Sequence, residues 1–255
     1  MARLNESRMG ARVTDAFAVR ASMSTVATLH AQHGTALIAG VDSDVTVQVP
    51  GAASIQGRVV LVPPHLTHAI SCPGPTLGFL YDPELMPHVA ASTRSRGGAF
   101  PLEGRLAARV GEALFAHRAS LASPQVLEGL AHEAAGWLAS GVPHREPDWR
   151  VARVLEAWRE DPCADRRAVV ASTRLSPAHL QALFVRDVGL PIRTWRLWRR
   201  LLVAVASLAR LDATSAAHAA GFADLAHFSR TCRRMLGYSP SLLGSGLLAR
   251  AHRHE

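Results

Sequence analysis

The hydrophobic periodicity of this chain changes character along its length, and that change limits the folds open to it. Up to about residue 85, short apolar runs sit between turn signals: Thr25–Leu29, Ala36–Ala39, Val45–Val49, Val59–Val62 and Leu77–Tyr81. Val45, Val47 and Val49 alternate with Thr46 and Gln48, the pattern of a half-buried strand. Val49-Pro50-Gly51 and Cys72-Pro73-Gly74-Pro75 supply the turns. Many short strands with such punctuation predict a barrel or sandwich. Residues 103–140 switch to helical spacing, with Leu106, Val110, Leu114 and Leu121, then Val126, Leu130 and Trp137. Gly141 to Pro147 holds two prolines and a charge cluster, which marks a linker. Everything from Asp148 onward reads as short helices. The expected class is α+β in two domains. Residues 1–102 form a β-barrel, 103–142 a helical region, 143–147 a linker, and 148–255 an all-α domain.

Charge is segregated in the same way. All 28 basic residues are arginine. Residues 1–147 hold 11 Arg against 11 acids; residues 148–255 hold 17 against 9, which accounts for the whole net charge of +8. A neutral half joined to a basic half suggests a sensing or assembly domain tied to a polyanion binder. Compositional bias alone would spread the excess evenly. Three widely spaced cysteines, Cys72, Cys163 and Cys232, exclude a disulfide framework and a cysteine zinc finger. No run of 18 apolar residues is present, and Met1 to Gly10 lacks the apolar stretch of a secretory leader. These features predict a cytoplasmic protein with no membrane partner.

The basic half contains two helix–turn–helix patterns. In the second, Thr214 to Ala220 forms a short helix capped by Thr214, Gly221 turns the chain, Phe222 plugs the core and Asp224 caps a helix over Leu225–Leu236. Leu225, Phe228, Cys232 and Met235 make its inward stripe; Ala226, His227, Arg230, Arg233 and Arg234 share the other face. In the first, Ser176 caps a helix that begins at Pro177, with Leu180, Leu183 and Phe184 inward. Ala178, His179, Gln181, Ala182, Val185 and Arg186 point outward. Between them, Ile192 to Ala209 carries the stripe Ile192, Trp195, Trp198, Leu202 and Val205, with Arg193, Arg196 and Arg200 at helical spacing. A helix of about 18 residues is about 27 Å long, close to the ~34 Å between successive major-groove faces. It can hold two reading helices on one side of a duplex, with its arginines toward phosphates. On pattern alone, an ordinary αα-hairpin with a solvated face fits equally well.

The run Ala219-Ala220-Gly221-Phe222-Ala223-Asp224-Leu225-Ala226-His227-Phe228-Ser229-Arg230, then Arg233 to Pro240, resembles the signature of AraC/XylS-family transcription regulators. Leu175 to Gln181, Phe184, Gly189-Leu190-Pro191, Arg200-Leu201 and Ala204 are similar to the rest of that module. The resemblance implies that Ala178, His179, Gln181 and Ala182, with Leu225, Ala226, Ser229 and Arg230, read bases. Arg186, Arg193, Arg196, Arg200, Arg233 and Arg234 are the expected phosphate contacts. Two departures stand out. Arg174 occupies a turn position where the family usually has glycine, and Val170 one that is usually alanine. The first reading helix also offers two alanines, which can touch a thymine methyl but cannot make a bidentate hydrogen bond. Arg230 should therefore carry more discrimination. Cys232 stands where phenylalanine is common, and reads as a small core residue.

Leu29 to His33, Pro63 to His68 and Tyr81 to Glu84 resemble the strand motifs of cupin-type sensing domains in the same family. That implies a cupin-like barrel with a ligand-sized interior. His30, His33, His65 and His68 are the candidate effector contacts, with His68 the best inward one. Enzymatic cupins space two metal-binding histidines at i and i+2; here Gln32 takes the i+2 position from His30, and each pair is three apart. No Glu lies between His30 and Leu80. No metal and no cofactor are expected, and the protein should not be an enzyme. The expected function is a sequence-specific transcription regulator responsive to a small effector, with activation favoured over repression by resemblance. Expected partners are double-stranded DNA, a second copy of the chain through residues 103–142, and RNA polymerase. The alternatives are a metal-dependent cupin enzyme fused to a helical domain, and a non-specific architectural DNA binder.

Overall fold

The computed structural model describes residues 11–94, 97–117, 120–121, 123–138 and 146–248. Among these, the strands form two antiparallel sheets. The larger has the spatial order β1 (Ala11–Val13), β2 (Phe17–Ser22), β9 (Thr76–Tyr81), β4 (Thr35–Gly40), β7 (Val59–Val62) and β10 (Phe100–Pro101). The smaller has the order β3 (Thr25–His30), β8 (His68–Cys72), β5 (Val45–Gln48) and β6 (Ile55–Gly57).

The layer arrangement explains the two kinds of apolar run. The larger sheet is covered on both sides, so β4 and β7 are buried at every residue. Leu37, Ala39, Val59 and Leu61 face the helices α1 (Pro87–Arg94), α2 (Gly104–His117) and α3 (Pro124–Leu138). Ala36, Ile38, Val60 and Val62 face the smaller sheet. A strand of the smaller sheet buries one face only, which is why β5 alternates Val45 and Val47 inward with Thr46 and Gln48 outward. The Tyr81 hydroxyl donates to Ala131 O at 2.9 Å, fastening α3 to β9.

The apolar stripe of residues 103–140 packs on this sheet. Val110, Leu114, Leu121 and Leu130 are buried in its cluster, with Leu106, Val126 and Trp137 packed at the margin. Phe115, on α2, remains 62% exposed.

Chain contacts separate two compact units, dividing at residues 144/145 and again at 231/232. The expected linker lies in part outside the described residues, which resume at Glu146. The second unit holds α4 (Trp149–Glu160), α5 (Arg166–Ala171), α6 (Pro177–Val188), α7 (Ile192–Ser207), α8 (Ala213–Ala219) and most of α9 (Leu225–Leu236). The last turn of α9 and α10 (Pro240–Leu248) group with the β-rich unit, where Gly237 O accepts from Thr28 N and from Thr28 Oγ1, both at 3.1 Å. Val151, Leu155, Trp158, Leu180, Phe184 and Trp195 make the core of the second unit. On α7 the inward residue is Leu201, and Leu202 is half-buried, a shift of one position from the predicted stripe. The helix is 16 residues long, about 24 Å. No helix of the described residues is long and apolar enough to cross a membrane.

Arg174 adopts a left-handed backbone, φ 55°, in the turn between α5 and α6. An L side chain there costs about 1–2 kcal/mol, and glycine returns about 0.5–1 kcal/mol of that through unfolded-chain entropy. Arg174→Gly is expected to leave stability unchanged or raise it by up to about 1.5 kcal/mol. A thermal melt that falls by several degrees would contradict this account of the turn.

Candidate nucleic-acid interface

The first helix–turn–helix is built from strong local signals. Asp165 accepts from Arg167 N and Ala168 N at the start of α5. The Thr173 hydroxyl, in the turn, donates to Val170 O and accepts from Leu175 N. Ser176 Oγ accepts from His179 N, Pro177 opens α6, and Gly189 closes it at φ 83°. Leu180, Leu183, Phe184 and Val188 are buried beneath the helix. Ala178, His179 and Ala182 are exposed, and Gln181 is half-buried beside them.

The second module follows the same plan with a different cap. Asp212, not Thr214, caps α8: it accepts from Thr214 N at 2.9 Å and Ser215 N at 3.0 Å, because the chain enters the helix two residues earlier than the sequence suggested. Gly221 turns at φ 73°. A Cβ there would stand 3.1 Å from Cys163 Sγ and 3.3 Å from the Arg200 guanidinium, so the position is crowded as well as left-handed. Phe222 is buried between His227 and Phe228, at ring distances of 5.1 and 5.2 Å. Asp224 Oδ1 accepts from His227 N and so caps α9. Phe228, Cys232 and Met235 are buried, and burial pushes the Cys232 thiol up to about 12. Leu225, expected in that stripe, is 38% exposed because it occupies the first turn of the helix, beyond the core. Ala226 and Arg230 are exposed and Ser229 is half-buried, on the same side as Leu225.

The six arginines expected on phosphates divide into three groups. Arg193, Arg233 and Arg234 are exposed. Arg186 is exposed but paired with Asp187, Nε to Oδ1 at 2.7 Å. Arg196 and Arg200 face inward, contrary to expectation. Arg196 lies over the Trp158 ring at 4.7 Å and donates to Pro162 O and Ala164 O. Burial, with Arg200 nearby, lowers its pKa from the ordinary value. Arg200 lies over Phe222 at 5.1 Å and donates to Ala220 O at 2.9 Å. Helical spacing alone does not tell a solvated guanidinium from one that satisfies main-chain carbonyls in a turn.

The four barrel histidines pair across the fold. His30 and His68 are register partners on β3 and β8, with ring centroids 4.3 Å apart. Each Nδ1 lies on a carbonyl two residues earlier, Thr28 O at 2.7 Å and Leu66 O at 2.8 Å. Nδ1 therefore carries the proton, and His68 Nε2 is left buried without a partner. His33 Nδ1 meets His65 Nε2 at 2.7 Å, and His33 Nε2 meets Glu84 Oε1 at 2.6 Å. Strand alternation does not govern His33, since β3 ends at His30. Glu84 lies beyond the His30–Leu80 segment, at the end of Tyr81–Glu84, and reaches His33 through the fold. Among the described residues, no group of three or more His, Cys, Asp or Glu is arranged to hold a metal ion.

Comparison with known proteins agrees with this geometry. Residues 169–243 match the family described as "Helix-turn-helix domain". No curated protein sequence matches the chain. Among solved structures, ToxT from Vibrio cholerae O395 superposes with a TM-score of 0.59 at 11% identity, over 92% of this chain and 99% of that one. Unsaturated fatty acid bound wild-type ToxT from V. cholerae strain SCE256 gives 0.57 at 12%, over 93% and 98%. The AraC-like transcriptional activator CuxR gives 0.39 at 10%, over 79% and 88%. The chain thus has the two-part fold of ToxT, and its basic half carries an AraC-type helix-turn-helix domain, the DNA-binding part of a transcription regulator.

Burial lowers the pKa of His30 and His68, the latter to about 4. The unfolded chain then binds more protons than the folded one between pH 4 and 6.5. Stability is expected to be full above pH 6.5 and to fall toward pH 4, by up to about 1.4 kcal/mol per pH unit for each proton. His68→Gln should flatten that fall, measured by denaturant titration across the range.

Proposed function

We propose that this DNA-binding regulator reads its operator with two helices held on one rigid support, and answers to a small molecule in the barrel. The observation behind the first part is the common construction of α6 and α9: each has a capped first turn, a buried underside and an exposed N-terminal face. Ala178, His179, Gln181 and Ala182 face one segment of major groove, and Leu225, Ala226, Ser229 and Arg230 the next. Arg193, Arg233 and Arg234 serve the phosphates, joined by Arg186 when DNA displaces Asp187. Arg230 is the long, exposed donor among the reading residues, suited to the acceptor pair of a guanine.

Selection from a DNA library, with affinity followed against salt, tests this. One motif should emerge, and Arg230→Ala should cost about 1–3 kcal/mol and relax one base position. Strong binding without a motif, with only a steep salt slope, would overturn the reading in favour of an electrostatic clamp.

The effector part rests on the interior between the two sheets, where Ala27, Ala36, Val47, Val60 and Ile70 pack as small aliphatic groups. Phe17, Val19 and Ala21 face the helices, so Arg20 turns the other way, over the Tyr238 ring at 5.0 Å, with its Nε buried and unpartnered. An apolar acid, such as the fatty acid of the ToxT structure, meets both features. At a hundred times its Kd such a ligand should stabilise the protein by about 2.7 kcal/mol. Arg20→Ala should abolish the accompanying shift in melting temperature; an unchanged shift would remove Arg20 from the site.

A further inference from the structure

A groove of about 600 Å³ runs between α4 and the turn that leads into α6, lined by Trp149, Arg150, Arg153, Thr173, Arg174 and Leu175. Three unfavourable features meet there. Trp149 is 64% exposed, so a large indole face lies in water. Arg174 holds the strained left-handed backbone described above. Arg153 and Arg174 are exposed on the walls of the same groove, and neither has an acidic partner among the described residues. The third guanidinium is neutralised: Arg150 donates to both oxygens of Asp148, Nε at 2.8 Å and Nη2 at 2.7 Å. The groove is thus left with two unbalanced positive charges beside an aromatic face. An anion seated between them offsets the repulsion, and a sugar or other flat apolar group covers the indole.

Position in the chain says which anion. Arg174 precedes Ala178 by four residues, so the two Cα atoms are separated by at most about 15 Å. The major groove is about 12 Å wide. When Ala178 and His179 lie at base edges, the turn before them stands at the phosphate ridge that walls the groove. The reading face of α6 carries two alanines and few hydrogen-bonding groups, so its placement depends on backbone contacts.

We propose that the Trp149–Arg153–Arg174 groove seats a DNA backbone phosphate flanking the site read by α6. Arg153 and Arg174 donate to the phosphate oxygens, and Trp149 packs on the adjoining sugar. The inference rests on the operator reading given under Proposed function, and adds a phosphate contact that neither the motif nor the charge pattern assigned.

The test uses the full chain. Affinity is measured from 50 to 200 mM salt for wild type, Arg153→Ala, Arg174→Gly and the double variant, on the selected operator and on random-sequence duplex. Because one phosphate is seated, the double variant should lower the slope of log affinity against log salt by about 0.9, and each single variant by part of that. The loss should be the same on both duplexes, with the preferred motif unchanged. Arg153→Lys should keep the wild-type slope. Arg174→Gly is informative because it relieves backbone strain, so weaker binding cannot be ascribed to unfolding if its melt is unchanged. Slopes equal to wild type would overturn the proposal while leaving the regulator reading intact. Losses confined to one sequence would mean a base contact and overturn it as well. Failure of the wild type to bind duplex DNA at all would overturn both.

Discussion

Arg196 and Arg200 lie one turn apart on α7, and each donates to main-chain carbonyls of a different part of the second unit. Arg196 holds Pro162 and Ala164, at the approach to the first helix–turn–helix. Arg200 holds Ala220, in the turn of the second. Both guanidiniums also lie on aromatic faces, Trp158 and Phe222, which are themselves core residues. A planar fork that stacks and donates at once suits this role in a way an ammonium does not. Trp195 and Trp198 bury the opposite side of α7, so the helix is fixed on two faces. A reading helix placed to within an ångström of a base edge needs that rigidity in its support.

The same two residues change the meaning of the charge distribution. The segregation of arginine into residues 148–255 points to a polyanion partner, yet part of that excess is structural. Arg196 and Arg200 satisfy turns, Arg199 is buried, and Arg150 and Arg186 are held by neighbouring aspartates. The charge free to meet DNA is smaller than the count, and concentrated near α9, α7 and the groove beside α4. Under the proposed reading, phosphate contacts of this kind orient the protein, and discrimination falls to the residues at the starts of α6 and α9.

In the β-rich unit the governing constraint is the covering of one sheet on both sides. That covering sets the continuous burial of β4 and β7, and it draws α2 and α3 onto the sheet through the stripe from Leu106 to Trp137. It also leaves the smaller sheet as the single-faced wall of the interior, where His30, His68 and the aliphatic lining meet. Buried imidazoles with their Nδ1 protons tied to carbonyls form a polar spot in an apolar core. His33, His65 and Glu84 form a separate chain of hydrogen bonds at the β3–β4 turn.

Local pattern was enough for much of this. Short apolar runs between turn residues located β3, β4, β5, β7 and β9, with period-2 alternation showing in β5, and period-3.6 spacing located the helices of both modules. Ser176, Pro177, Gly189, Gly221 and Asp224 announced their turns and caps, since each acts within four residues of itself. Short or irregular strands such as β1, β6 and β10 were not legible, having too few residues to display a period. Pairings between distant segments were equally hidden. The partnership of His33 with Glu84, the inward turn of Arg196 and Arg200, the left-handed Arg174 and the covering of the sheet by α2 and α3 all depend on which surfaces meet. By itself, the sequence determined the two-part organisation, the helix–turn–helix modules and the residues that start α6 and α9. Tertiary structure alone decided which polar groups are engaged within the protein and which stay free for a ligand. A side chain's partners are set by the packing of elements far apart in the chain, and no local period records them.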